Sequence, residues 1–176
     1  MKTRMIAACA FALWSVAASR ASAQAAGPAV STLGTTVGQS IRACPQFTIF
    51  DDVNARVDGD SVVLTGKVTA ASKRSEIERR VSSVEGVRGL RNEILVMPPL
   101  REDDDLRQRV AKAIYGNPSF WSYAAMSSPP IHIIVEGGHV TLKGTVGSQV
   151  ERSMARSLAS GLGERSLINE LRAEGR

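Results

Sequence analysis

The sequence predicts an α+β protein made of two tandem helix-strand-strand-helix-strand (αββαβ) units, each a small sheet with two helices on one face. Three observations predict this. A twelve-residue pattern occurs twice, 78 residues apart, with six identities and no gap. Both copies place glycine at the two-residue turn of a strand-like alternation. Both are followed by apolar residues at helical spacing.

The chain has 176 residues, with 22 Lys and Arg, 17 Asp and Glu, and a formal charge of +5. Residues 1–23 read as an export signal. Lys2 and Arg4 precede an apolar run from Met5 to Ala18, and Ala21-Ser22-Ala23 is a small-residue cleavage site. The run is about 14 residues long, short of the roughly 20 that span a bilayer. Cys9 sits too early in the run for a lipidated cysteine. Removing Lys2, Arg4 and Arg20 leaves 19 basic and 17 acidic groups, a charge of +2. Bulk charge then gives no case for nucleic acid. Cys44 is left as the single cysteine and reads as a small buried apolar residue, the alternative being an intermolecular disulfide or a reactive thiol.

A leader over residues 24–35 precedes the first unit (36–98), a linker (99–103) and the second unit (104–175). Val57, Gly59, Val62, Leu64, Gly66 and Val68 recur as Val135, Gly137, Val140, Leu142, Gly144 and Val146. Each unit opens with a short helix, expected at Val37–Ala43 and Asp104–Tyr115. In the latter, Leu106, Val110 and Ile114 form one stripe behind an acidic start at Asp103–Asp105. A hairpin follows, turning at Gly59-Asp60 and at Gly137-Gly138. Gly66 and Gly144 fall on the inward face, where a missing side chain admits a helix or marks a bulge. A second helix is expected at Ser72–Ser83 and Gln149–Ser160, facing inward with Ile77, Val81 and Val84, or Met154, Leu158 and Leu162. Gly86 and Gly163 end these helices. A last strand, Leu90–Val96 or Leu167–Leu171, closes each unit. Arg74, Asn92 and Glu93 recur as Arg152, Asn169 and Glu170, and Pro45-Gln46-Phe47 as Pro118-Ser119-Phe120. Units this small support little core each, so the two are expected to pack against one another.

The search for catalytic patterns is negative. Gly66-Lys67 lacks the spacing of a phosphate loop, and no G-x-S-x-G occurs. His132, His139 and Glu136 on one hairpin lack further ligands for a metal. The acids 102–105 lack the alternation of a calcium loop. No cofactor is implied.

Tyr115 to Tyr123 is more informative: four of the six aromatics beyond the export signal fall within these nine residues. Phe120 aligns with Phe47 and is expected in the core. Trp121 has no aromatic counterpart and is the best candidate for a contact peculiar to unit 2. Trp and Tyr favour the membrane interface. Trp121, Tyr123 and Tyr115 are therefore candidate lipid contacts, the alternative being packing in the core or between the units, with Arg107, Arg109 and Lys112 on the preceding helix as candidates to meet lipid phosphates. Lys73, Arg74, Arg79 and Arg80, interleaved with Glu76 and Glu78, read as a solvated helix face with local ion pairs.

The hairpin V-x-G-x-x-V-x-L-x-G-x-V, then Arg74 and Val84-x-Gly86-Val87-x-x-Leu90-x-Asn92, resembles the BON domain. The second copy shares the hairpin and departs at Leu162-Gly163-Glu164-Arg165. The resemblance covers nearly all of the chain after the export signal and is to the tandem-BON proteins of the osmotically inducible periplasmic type. It implies a periplasmic or secreted envelope protein without catalysis. Such a protein binds anionic phospholipid peripherally and supports the envelope under osmotic or other stress. The alternative is a module that docks other envelope proteins or copies of itself.

Overall fold

The computed structural model describes residues 28–174. The expected export signal and Cys9 lie outside them. Unit 1 comprises α1 (Pro28–Arg42), β1 (Asp52–Asp58), β2 (Ser61–Val68), α2 (Ala71–Ser82) and β3 (Gly89–Val96). Unit 2 comprises α3 (Arg101–Tyr115), a 3-10 turn (Pro118–Phe120), α4 (Trp121–Ala124), β4 (Ile131–Glu136), β5 (His139–Val146), α5 (Gln149–Ala159), β6 (Ser166–Asn169) and β7 (Arg172–Ala173). α1 begins inside the stretch expected as a leader. α3 takes up residues 101–103, expected as linker.

The hairpins β1–β2 and β4–β5 are antiparallel, and β3 and β6 run parallel to β2 and β5. Such a parallel return needs a crossover connection, which α2 and α5 supply. β7 continues β6 on β5 in the same register, with Glu170 and Leu171 between them.

Two apolar cores lie between sheet and helices. In unit 1, Val37 and Ile41 of α1 and Ile77 and Val81 of α2 bury against Val62, Leu64, Val68 and Ile94, with Cys44 buried among them. In unit 2 the stripe Leu106, Val110 and Ile114 is fully packed, as its spacing predicts. α5 is turned slightly from expectation. Ala155 and Ala159 reach the centre, while Met154, Leu158 and Leu162 pack at its margin. Small residues there bring the helix close to the sheet.

Gly66 and Gly144 answer neither expectation. The register runs through both without a bulge, and the close neighbour is a strand, not a helix. A Cβ on Gly66 would lie 2.0 Å from the Asp52 carbonyl oxygen, and one on Gly144 1.8 Å from that of Pro130. Their φ angles are +123° and +115°. Both the conformation and the approach of the first strand's backbone exclude a side chain. Gly86 and Gly163 lie in the turns that follow α2 and α5, beyond the helix ends at Ser82 and Ala159.

Candidate functional site

α3 and the segment after it carry the residues singled out above, and the structure divides them. Arg107 is a correction: it is only 3% exposed and cannot meet a lipid phosphate. Its guanidinium donates to the Val135 carbonyl at 2.6 Å, pairs with Asp104 and lies 3.9 Å from the Met97 sulfur. The helical stripe explains this. Arg107 follows Leu106 and precedes Val110, on the flank that the inter-unit connection covers. Its acidic neighbour Asp103 is buried as well, and accepts the backbone N–H groups of Gly137 and Gly138 at 2.7 and 2.8 Å. It grips the β4–β5 turn rather than merely starting a helix.

Tyr115 is half-buried. Its hydroxyl donates to the Ile131 carbonyl at 2.6 Å and accepts the Ile131 N–H at 3.2 Å, fastening the start of β4 to the end of α3. Burial pushes its pKa well above the ordinary tyrosine value, against the smaller opposing effect of the Ile131 bond. Tyr123 donates to the Glu151 carboxylate at 2.7 Å and accepts the Gly147 N–H at 2.9 Å. Desolvation and then the Glu151 carboxylate raise its pKa. Ser148 caps α5 by accepting the Glu151 N–H, and the Glu151 carboxylate reaches back past the cap to accept the Gly147 N–H. Phe120 is fully buried in the unit 2 core, as its match to Phe47 suggested.

Three residues remain outward. Trp121 is 62% exposed on the short α4, which is held from beneath by Phe120 and Tyr123. Lys112 is exposed near the end of α3. Arg109 is exposed and donates to the Leu162 carbonyl at 3.1 Å, leaving part of its guanidinium to solvent. Met126, just beyond α4, is exposed too, and so is Val150 at the start of α5, which the Tyr123–Glu151 bond ties to α4. These two were missed because neither shows any pattern in sequence.

The units meet through the loop between α1 and β1. Ile49 and Phe50 pack on the unit 2 core, and the Ile49 carbonyl accepts the Ile133 N–H at 2.7 Å. His132 donates from Nδ1 to the Asp51 carbonyl at 2.6 Å, and its ring lies 5.6 Å from that of Phe47. The Asp51 side chain, fully buried, organises this loop. It accepts from Thr48 and Thr69, backbone and hydroxyl in each case, and from the Lys73 ammonium at 2.6 Å. Lys73 is thus not part of a solvated face, whereas Arg79 and Arg80 do pair locally with Glu76. Farther along, the helix-free faces of the two sheets enclose a cleft of about 430 Å³. Lys67–Glu136 and Lys143–Asp52 ion pairs cross between the units beside it.

Among the described residues no three of His, Cys, Asp and Glu come together as metal ligands, and no helix is long and apolar enough to cross a membrane. His132 serves the junction. His139 bonds to the Ser166 hydroxyl at 2.7 Å.

Two copies of one small α+β domain, docked through a loop of the first, define a tandem-repeat protein. The BON domain family matches residues 29–98 and again 102–175, and the chain belongs to that family. BON domains are in general non-catalytic binding modules associated with membranes, phospholipid and the cell envelope. No curated protein matches the sequence. Among solved structures, CdsD, a structural protein of the type III secretion system of Chlamydia trachomatis, is 13% identical. That match covers 80% of this chain and 91% of that one, with a TM-score of 0.30. The CdsD C-terminal domain is 12% identical over 79% of this chain and 96% of that one, with a TM-score of 0.27.

Proposed function

We propose that this is an exported, non-catalytic envelope protein that binds anionic phospholipid peripherally through the α3–α4 end of unit 2, and so supports the envelope under osmotic or other stress. The observation that carries the reading is Trp121. A large aromatic side chain is held out to solvent on a helix whose neighbours Phe120 and Tyr123 are fixed inward. Nothing in the packing of unit 2 needs it there. Met126 adds apolar surface, and Lys112 and Arg109 supply positive charge on the adjoining helix. Each such group contributes about 1 kcal/mol near an anionic surface. Arg107, Tyr115 and Tyr123 serve this surface by holding α3, α4, β4 and α5 together.

The test is co-sedimentation with neutral vesicles and with vesicles carrying anionic lipid, at low and moderate salt. Binding is expected only with anionic lipid, weakening as salt rises. Trp121→Ala is expected to lose most of that binding and to leave the melting temperature within a degree or two. A large fall in melting temperature would assign Trp121 to packing. Absence of binding by the unaltered protein would remove the proposal and favour docking to envelope proteins.

A further inference from the structure

β3 is an outer strand of the unit 1 sheet and, among the described residues, pairs only with β2. The Met97 N–H donates to the Val68 carbonyl at 2.9 Å, so odd-numbered residues of this strand turn their backbone groups toward β2. Leu90, Asn92 and Ile94 turn theirs outward. A bare eight-residue edge is a template for another strand.

Side chains occupy the middle of this edge. Asn92 Oδ1 accepts the Ile94 N–H at 3.1 Å, and the Asn92 carbonyl accepts from the Arg74 guanidinium at 3.3 Å. The Asn92 amide is anchored in turn by Glu78 at 2.8 Å. The same arrangement recurs in unit 2. Asn169 Oδ1 takes the Leu171 N–H at 3.2 Å, and Arg152 takes the Asn169 carbonyl at 3.4 Å. The two backbone groups closed in each unit, a carbonyl and the N–H two residues on, are ones an antiparallel neighbour needs.

We infer that Arg74 and Asn92 are a guard on the β3 edge, and that the strand this edge accepts once the guard is opened is β3 of a second copy of the chain. The edge is self-complementary about Asn92. With Asn92 opposite its counterpart, Arg91 faces Glu93 twice, Leu90 faces Ile94 twice, and the exposed Leu95 faces Gly89, which has no side chain. Arg91 and Glu93 pair within one chain and exchange partners in the pair of chains. In unit 2, Ile168 stands in the place of Arg91, so the charge match is missing and the β6 edge does not pair in this way.

The test is the mass in solution by light scattering. The unaltered protein is expected to be monomeric through this edge, and Asn92→Ala to double its mass. Asn169→Ala is expected to remain monomeric. Adding Arg91→Glu or Glu93→Arg to Asn92→Ala sets like charges opposite each other and is expected to restore the monomer. An equal mixture of those two double variants is expected to dimerise again. Arg74→Met opens half of the guard and gives the same doubling if Asn92→Ala fails to fold. The inference is overturned if both guard variants stay monomeric with unchanged circular dichroism, or if doubling survives Glu93→Arg. It is equally overturned if the unaltered chain already forms the Glu93-dependent dimer.

Discussion

Asp51 shows how one side chain can hold a junction. Its carboxylate accepts five bonds, from Thr48, Thr69 and Lys73, while its carbonyl accepts from His132 of the other unit. Burying a charge costs several kcal/mol unless it is paired and fully bonded, and breaking one partner leaves the rest uncompensated. Asp51→Ala is therefore expected to cost about 3–5 kcal/mol, read as a lower urea midpoint. Lys73→Met, which leaves the buried carboxylate with four donors but no counter-charge, should cost a comparable amount. Nothing in the local sequence marks this residue. Asp51-Asp52 reads as a polar turn before a strand, and the donors come from positions 48, 69 and 73, which only the fold brings together. The hairpin-turn glycines, the Arg107 stripe neighbours and Phe120 were legible because each obeys a local period or a match between copies, whereas Gly66 and Gly144 were placed on the right face but not against the strand that excludes their side chains. Arg107 itself was misread because periodicity says which face a residue is on, not which other segment lies over that face.

At the scale of elements, the hairpins and crossover helices were legible from alternation, turn glycines and four-residue spacing. The start of α1 was not, because Leu33, which extends the Val37–Ile41 stripe onto the unit 1 core, stands among Gly, Ser and Thr of low helix propensity, and packing rather than propensity sustains such a helix. The latch between α3 and β4 is the Tyr115 hydroxyl, and it makes a prediction about alkali. Tyr115 and Tyr123 are the chain's two tyrosines, and both are held above the ordinary value of 10.0, Tyr115 by burial far above it. A folded chain that keeps a proton the unfolded chain releases near pH 10 has this stability in full below that pH. It loses the contribution as the pH rises through the folded value. Near-ultraviolet phenolate absorbance should accordingly stay low past pH 10 and then rise together with unfolding. Tyr115→Phe should flatten the alkaline fall in stability. An early, complete ionisation with the fold intact would contradict the latch.

At the scale of the whole molecule, the two units share a core through Ile49 and Phe50. The crossing ion pairs Lys67–Glu136 and Lys143–Asp52 are partly exposed and worth about 0–1 kcal/mol each, so the apolar loop sets the coupling. Asp52 holds the Lys143 ammonium above its usual value, so that small contribution fades only at strongly alkaline pH. Ile49→Ala is expected to destabilise by about 1–2 kcal/mol and to speed hydrogen exchange in β4 and β5, although the residue belongs to unit 1. Faster exchange confined to unit 1 would show the units to be energetically separate. This sharing was legible only as an expectation that small units pack together, since no pattern named the loop.

That loop also gives the duplication a direction. The stretch after the first helix leaves unit 1 as a coupling and seats on the edge of β4. The matching stretch of unit 2, from Pro118 onward, is folded back on its own body, with Phe120 in the core and Tyr123 tied to Glu151. Among the described residues β1, the strand that corresponds to β4, pairs with β2 and with no other strand. Within the described residues the duplication therefore has a polarity: the coupling of unit 1 is spent on unit 2, and that of unit 2 is turned inward, with Trp121 the part left showing.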